Sequence, residues 1–219
     1  MKKQLLLLLL SFTSLLSYGQ IDGINIFSSL SGFRNVGYED NLFTNAEIGV
    51  GFLSNSRFSP EMSIGYLGAS PDTQIRVVTR DGSALEQQVK SQVRGLLLNA
   101  GLVTRLTKRE SIWLYTLTNV SFAANTTFKS RLFEGDNLNN LPLRETITER
   151  DNSVFFNIGL GVEGFIDEDE KWSASLVLVY TTFDVFNNFK DFKFEDSDTN
   201  LALPSNGGLG LRFLIRYHL

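Results

Sequence analysis

Between Leu209 and Leu219 the chain alternates strictly. Leu209, Leu211, Phe213, Ile215, Tyr217 and Leu219 share one face of a strand, and Gly210, Arg212, Leu214, Arg216 and His218 share the other. Large apolar residues opposite glycine and arginine invert the wetting of a soluble sheet and suit a strand whose outer solvent is hydrocarbon. The same alternation recurs upstream. Ala46, Ile48, Val50 and Phe52 oppose Asn45, Glu47, Gly49 and Gly51, and Phe58, Met62, Ile64 and Tyr66 oppose Glu61, Ser63 and Gly65. Leu96, Leu98, Ala100, Leu102 and Leu106 oppose Gly95, Asn99, Gly101 and Arg105. Phe156, Ile158, Leu160, Val162 and Ile166 oppose Asn157, Gly159, Gly161 and Glu163, and Trp172, Ala174, Leu176, Leu178 and Tyr180 oppose Ser173, Ser175 and Thr181. Each run has about the ten residues of a tilted membrane strand. Two further segments, 24–33 and 112–124, carry apolar groups on both parities and declare no inward face, and the second holds either a bulge or no regular strand.

The connections set the topology. Short polar links at 54–57, 107–111 and 167–171 alternate with longer segments at 34–41, 69–89, 125–152 and 184–206. Short turns on one side and long loops on the other are the signature of an up-and-down membrane barrel. The expected fold is therefore all-β: a closed antiparallel up-and-down transmembrane β-barrel of eight strands, with both termini on the turn side. Closure follows from hydrogen bonding, because hydrocarbon satisfies no backbone group and an open sheet would leave two edges unpaired. Within the second long segment, Gln74 to Arg80 is strand-like and Asp81-Gly82 suits a tight turn, so an extended hairpin is expected there.

An eight-stranded barrel has an interior that side chains fill. By parity Glu47, Glu61, Glu163, Arg105, Arg212 and Arg216 point into it, with Glu61, Glu163 and Arg216 at one level and Glu47 and Arg212 at a higher one. Buried charges persist when paired, so a mutually neutralising network is expected in preference to an ion path. Phe58, Trp113, Trp172 and Tyr217 near the turns, and Tyr66, Phe122 and Tyr180 near the loops, are expected to form two interfacial girdles.

The N-terminus adds an address. Lys2-Lys3, an apolar run through Leu16 and Ser17-Tyr18-Gly19 read as a secretory signal cut after Gly19, leaving a single barrel domain at 20–219. Removal of residues 1–19 takes away two lysines and no acids, which moves the formal charge from −4 to −6. With no cysteine, neither a lipid anchor on sulfur nor a disulfide framework is available. No clustered basic surface points to a nucleic-acid partner.

Candidate chemistry is sparse. Gly159 to Gly164 matches a dinucleotide fingerprint as a string, but Phe165-Ile166 runs into an acidic turn and no helix can open after it. His218 is the only histidine, on the inward parity, and reads as a lumen-mouth residue. Asp191, Glu195, Asp196 and Asp198 do not have the spacing of a calcium loop. No catalytic, cofactor-binding or metal site is assigned. Phe186, Phe189, Phe192 and Phe194 in the last loop read as an exposed contact site, or else as an upper continuation of the wall.

With signal, parity, turns and closing strand together, the chain resembles the small eight-stranded outer-membrane barrel proteins of Gram-negative bacteria, and among them the PorT-like "outer membrane protein beta-barrel" group. The closing strand looks like the signal read by the barrel-assembly machinery, although Leu219 stands where an aromatic residue is usual, with Tyr217 two before it. The resemblance implies residence in the outer membrane, contact with its lipid, the assembly machinery as a partner during insertion, and other envelope proteins as partners afterwards. The expected function is non-enzymatic: a structural or binding barrel, or an accessory subunit of an envelope or secretion complex, working through its extracellular loops. A lipid-modifying enzyme that would use His218 and a small diffusion channel are the alternatives.

Overall fold

A computed structural model of the chain describes residues 23–35, 42–54, 56–70, 73–80, 83–109, 112–137, 140–185, 189, 191–195 and 207–219. The candidate signal segment 1–19, the Asp81-Gly82 turn and Phe186 lie outside the described residues. The described chain is all-β, with nine strands: β1 (Ile24–Asn35), β2 (Leu42–Phe52), β3 (Phe58–Ala69), β4 (Gln74–Arg80), β5 (Ser83–Arg109), β6 (Ile112–Gly135), β7 (Leu143–Phe165), β8 (Trp172–Thr181) and β9 (Gly208–His218).

Every pairing is antiparallel, in the order β3-β2-β1-β9-β8-β7-β6-β5-β4, and a further pairing of β3 with β5 turns the sheet into a ring. The first and last strands meet along their whole length, from Asn25 opposite His218 to Asn35 opposite Gly208. Nine strands are present where eight wall strands were expected, and the additional one is the strand expected over Gln74 to Arg80: β4 forms a hairpin with residues 83–89 of β5, beyond the point where β3 leaves it at Ala69 opposite Val93. A correction concerns 125–152, expected as a loop. Most of it continues β6 and β7 as a long hairpin paired from Thr126 opposite Asp151 to Phe133 opposite Leu143. Polar residues occupy both of its faces, Thr, Lys and Arg on one and Thr, Ser and Glu on the other, so the hydrophobic contrast is too weak to mark an inside.

Both undeclared segments resolve once their partners are known. In β1, Asn25, Phe27, Ser29, Ser31 and Phe33 are buried inside the ring. In β6, Tyr115, Leu117, Asn119, Ser121 and Ala123 are buried, and pairing with β7 runs unbroken from Ile112 to Ala123. The irregularity expected in 112–124 falls at its upper end, and another lies across from its start: the register shifts on the β5 side between Arg105 and Thr107, and on the β7 side between Ala123 and Thr126. At that second break Asn125 takes a φ of 52°, and the strand parity changes, so that Thr126, Phe128, Ser130 and Leu132 continue the interior.

Outside the ring the apolar residues are bare. Ile48, Phe156 and Leu211 are 58%, 57% and 54% exposed. Inside it, polar and charged side chains are buried among aromatic ones. Small residues create the space: a Cβ on Gly65 would stand 2.6 Å from Glu47 Cγ, whereas one on outward-facing Gly68 would meet nothing closer than Tyr66 Cε1 at 3.7 Å.

Gly65→Val should therefore lower the unfolding free energy by about 1–3 kcal/mol through overpacking, while Gly68→Ala should stay within about 0.5 kcal/mol of the parent. Denaturant midpoints of the two variants check this, and equal midpoints would refute the inward assignment of Gly65.

Candidate functional site

Closing strand β9 sends two arginines into the ring. Arg216, 1% exposed, reaches Glu61 on β3 through Nη2 at 2.8 Å and Glu163 on β7 through Nη1 at 3.3 Å. Its Nη1 also donates to Ser175 Oγ on β8 at 2.8 Å. The guanidinium lies 5.7 Å from the Phe27 ring and 5.8 Å from that of Tyr115, which pack around it as apolar walls. Four residues nearer the loop end, Arg212 Nη2 pairs with Glu47 Oε2 on β2 at 3.0 Å, and Ser63 donates to the same oxygen at 2.9 Å.

Arg105 is the member of the set without a carboxylate partner among the described residues. It is buried, donates from Nη1 to the Ser56 carbonyl at 2.7 Å, and lies 4.8 Å from the Trp113 ring. It thus ties the turn after β2 to the interior. The six side chains balance, three carboxylates against three guanidinium groups, which is what burial in a poorly polarisable interior requires.

The lone histidine sits at the turn end of this network. His218 Nε2 is 2.9 Å from Ser173 Oγ, and Ser173 also donates to Glu163 Oε1 at 2.7 Å. A serine, a histidine and a glutamate are thereby adjacent. The histidine does not bridge the other two, and Ser173 is 0% exposed beneath the His218 and Phe165 rings. The serine hydroxyl points its proton at the carboxylate, so the arrangement lacks both the order and the access of a nucleophile with its base. Gly159 to Gly164 likewise lies wholly within β7, with extended backbone and no helix following.

At the loop end the interior is aromatic. Phe33 stacks on Phe43 at 4.8 Å, Phe43 meets Phe183 at 5.5 Å, and Phe183 meets Phe155 at 4.8 Å. Phe189, Phe192 and Phe194 are 1%, 2% and 4% exposed, and Phe189 packs edge-on against Phe128 of β6 at 5.6 Å. These three rings are not an exposed contact face. The extended β5–β6–β7 hairpins rise high enough to receive them, a height the sequence pattern did not convey. The girdle assignment also loses one member: Trp113 shares the inward face with Glu163, its pairing partner, and covers Arg105. Phe58 and Trp172 at the turn end, and Tyr66, Phe122 and Tyr180 at the loop end, are exposed on the outer wall.

No family model and no curated protein matches this chain. Solved structures do. A major outer membrane protein from Thermus thermophilus shares 12% identity over 90% of this chain and 99% of its own, with a TM-score of 0.52. The attachment invasion locus protein Ail of Yersinia pestis shares 13% over 90% and 97%, at 0.39, and Neisserial surface protein A shares 8% over 89% and 95%, at 0.42. The first of these likenesses concerns the fold; the other two superpose too loosely to add to it.

Replacing Arg216 by Ala should cost about 3–5 kcal/mol, since it strands two buried carboxylates. Arg105→Ala should cost less, because no carboxylate relies on it for direct contact. Urea or guanidinium unfolding of folded protein in micelles measures both, and an Arg216→Ala midpoint equal to the parent's would show that the network does not stabilise the ring.

Proposed function

We propose that this protein is an outer-membrane β-barrel whose eight wall strands are β1–β3 and β5–β9, and that it works by contact at its loop end, without catalysis or conduction. The observation that carries this reading is the inversion of the whole ring: exposed Leu, Ile and Phe outside, buried Arg, Glu and Asn inside. A water-soluble protein rarely exposes apolar surface on that scale, and a lipid-facing wall requires it. The fold likeness to the Thermus outer-membrane protein supports the same setting. On this reading residues 1–19 are the export signal, and the strand pairing from β3 round to β5 leaves no open edge in the hydrocarbon.

Packing argues against conduction. Between the two charge levels the described interior holds a void of about 10 Å³, bordered by Glu61, Asn99 and Arg212, which is room for about one water. Above it Phe33, Phe43, Phe155 and Phe183 pack against one another in the interior. The covered Ser173 hydroxyl argues against hydrolysis.

What remains for function is the part that stands clear of the wall. The β4–β5 hairpin presents Ile75 and Val77, 55% and 68% exposed, beyond the end of β3. We assign contact with another envelope protein to this hairpin, in place of the buried phenylalanines. Assembly by the barrel-assembly machinery and the affiliation with the PorT-like group belong to the same proposal.

The exported protein should begin at Gln20, fractionate with outer membranes and migrate differently on gels before and after boiling. Phe213→Arg should oppose insertion by about 2–4 kcal/mol if that face meets the bilayer midplane. An intact N-terminus on a soluble cytoplasmic product would sink the reading, and stable conductance steps from purified protein in planar bilayers would replace contact with transport.

A further inference from the structure

The outer wall changes character abruptly at its loop end. Along β5 the outward residues run Leu102, Ala100, Leu98, Leu96 and then Arg94, Gln92, Lys90. On β6 the parity change at Asn125 turns Thr127, Lys129 and Arg131 outward, opposite Arg94, Gln92 and Lys90. On β7 Arg150 stands outward opposite Thr127. Five cations thus occupy one outward face directly above the apolar band. Among the described residues no carboxylate pairs with any of them. Glu134, Glu145 and Glu149 lie on the opposite face of the hairpin, and Glu86 stands beyond Lys90 toward its tip.

The same place is concave. Where β3 leaves β5 and before β4 joins it, residues 90–92 of β5 have no strand partner on that side. A cavity of about 330 Å³ opens there, lined by Ser70, Lys90, Gln92, Lys129 and Arg131 among others. A second cavity of about 460 Å³ shares Ser70 and Gln92 with it and runs down past Arg94 and Gly68 to Tyr66 on the apolar wall. With its amide oxygen turned toward Arg94, Gln92 accepts from Arg94 Nη2 at 2.8 Å, and Lys90 Nζ lies 5.3 Å from the Phe133 ring. Both contacts hold the cations along the groove.

We propose that this groove binds a phosphorylated lipid of the outer leaflet, with the phosphate among Lys90, Lys129 and Arg131 and an acyl chain laid over Gly68 against Tyr66 and the leucines below. The inference rests on the outer-membrane reading and adds a ligand class to it. Guanidinium and ammonium groups that no carboxylate of the described residues pairs, with hydroxyls between them, match phosphate oxygens, and continuity with the exposed apolar wall selects a lipid headgroup over a free anion.

The test uses the full exported chain folded in uncharged detergent, with fluorescent lipid A and its dephosphorylated form as probes and anisotropy as readout. Heat-shifted migration and β-sheet circular dichroism qualify every variant first, so failure of the barrel reading shows there and not in the binding curve. The parent should prefer the phosphorylated probe. Lys129→Gln with Arg131→Gln should weaken it about thirtyfold, given the worth of each cation near a lipid surface. Gly68→Leu should weaken both probes by filling the groove, and Lys171→Gln at the far turn should change nothing. Equal affinity for the two probes, an equal loss in Lys171→Gln, or complete displacement by equimolar inorganic phosphate would each overturn the proposal.

Discussion

Arg216 is held by Glu61 from one side of the ring and Glu163 from the other, and this pair of contacts ties strands three and seven through the closing strand nine. Ion pairs at a surface contribute little, because water competes for both partners. Inside a ring whose exterior is apolar, removing one partner leaves charge that nothing else neutralises. The surrounding residues follow from that geometry. Ser175 and Ser173 on β8 take up hydrogen bonds that the guanidinium and carboxylate leave over, Phe27 and Tyr115 wall the pair, and Gly65 leaves room for Glu47 one level up. Such a network selects register: a one-residue slip of β9 would turn both arginines outward and Leu211 and Phe213 inward.

Alternation made much of the wall legible, because a strand with a lipid side and a packed side writes its two environments into successive residues. Wherever glycine or a charge marked the inward parity, the face could be read: Glu47 on β2, Glu61 on β3, Glu163 on β7, Arg212 and Arg216 on β9. β1 and the lower half of β6 hid their faces because their interior residues, Phe27, Phe33, Tyr115 and Leu117, are as apolar as their outward ones. Aromatic residues beside a buried guanidinium serve as packing, and composition alone cannot separate them from a lipid face. Trp113 misled for that reason.

The long hairpins were hidden for the opposite cause. Beyond Arg94 on β5 and Asn125 on β6 both faces of the sheet are rich in polar residues, so the period of two carries little hydrophobic contrast, and the run from 125 to 152 has the composition of a loop. Burial of Phe189, Phe192 and Phe194 depends on these hairpins: the rings are interior because β5, β6 and β7 extend far enough to flank them.

The bulge at Asn125 joins two storeys that answer to different solvents. Below it the outward residues of β6 are Val120 and Phe122 and the interior is Asn119 and Ser121; above it the outward residues are Thr127, Lys129 and Arg131 and the interior is Phe128 and Leu132. Without the extra residue the upper strand would turn Phe128 and Leu132 outward and bring Lys129 and Arg131 in among the phenylalanines. One left-handed residue therefore turns the basic side chains of the upper strand outward and its Phe128 and Leu132 inward, within a continuous strand. The proposed membrane boundary falls at that conversion, which is also where the groove opens. The wall changes solvent, the interior changes filling, and a binding surface appears at one height because a single break in register sets all three.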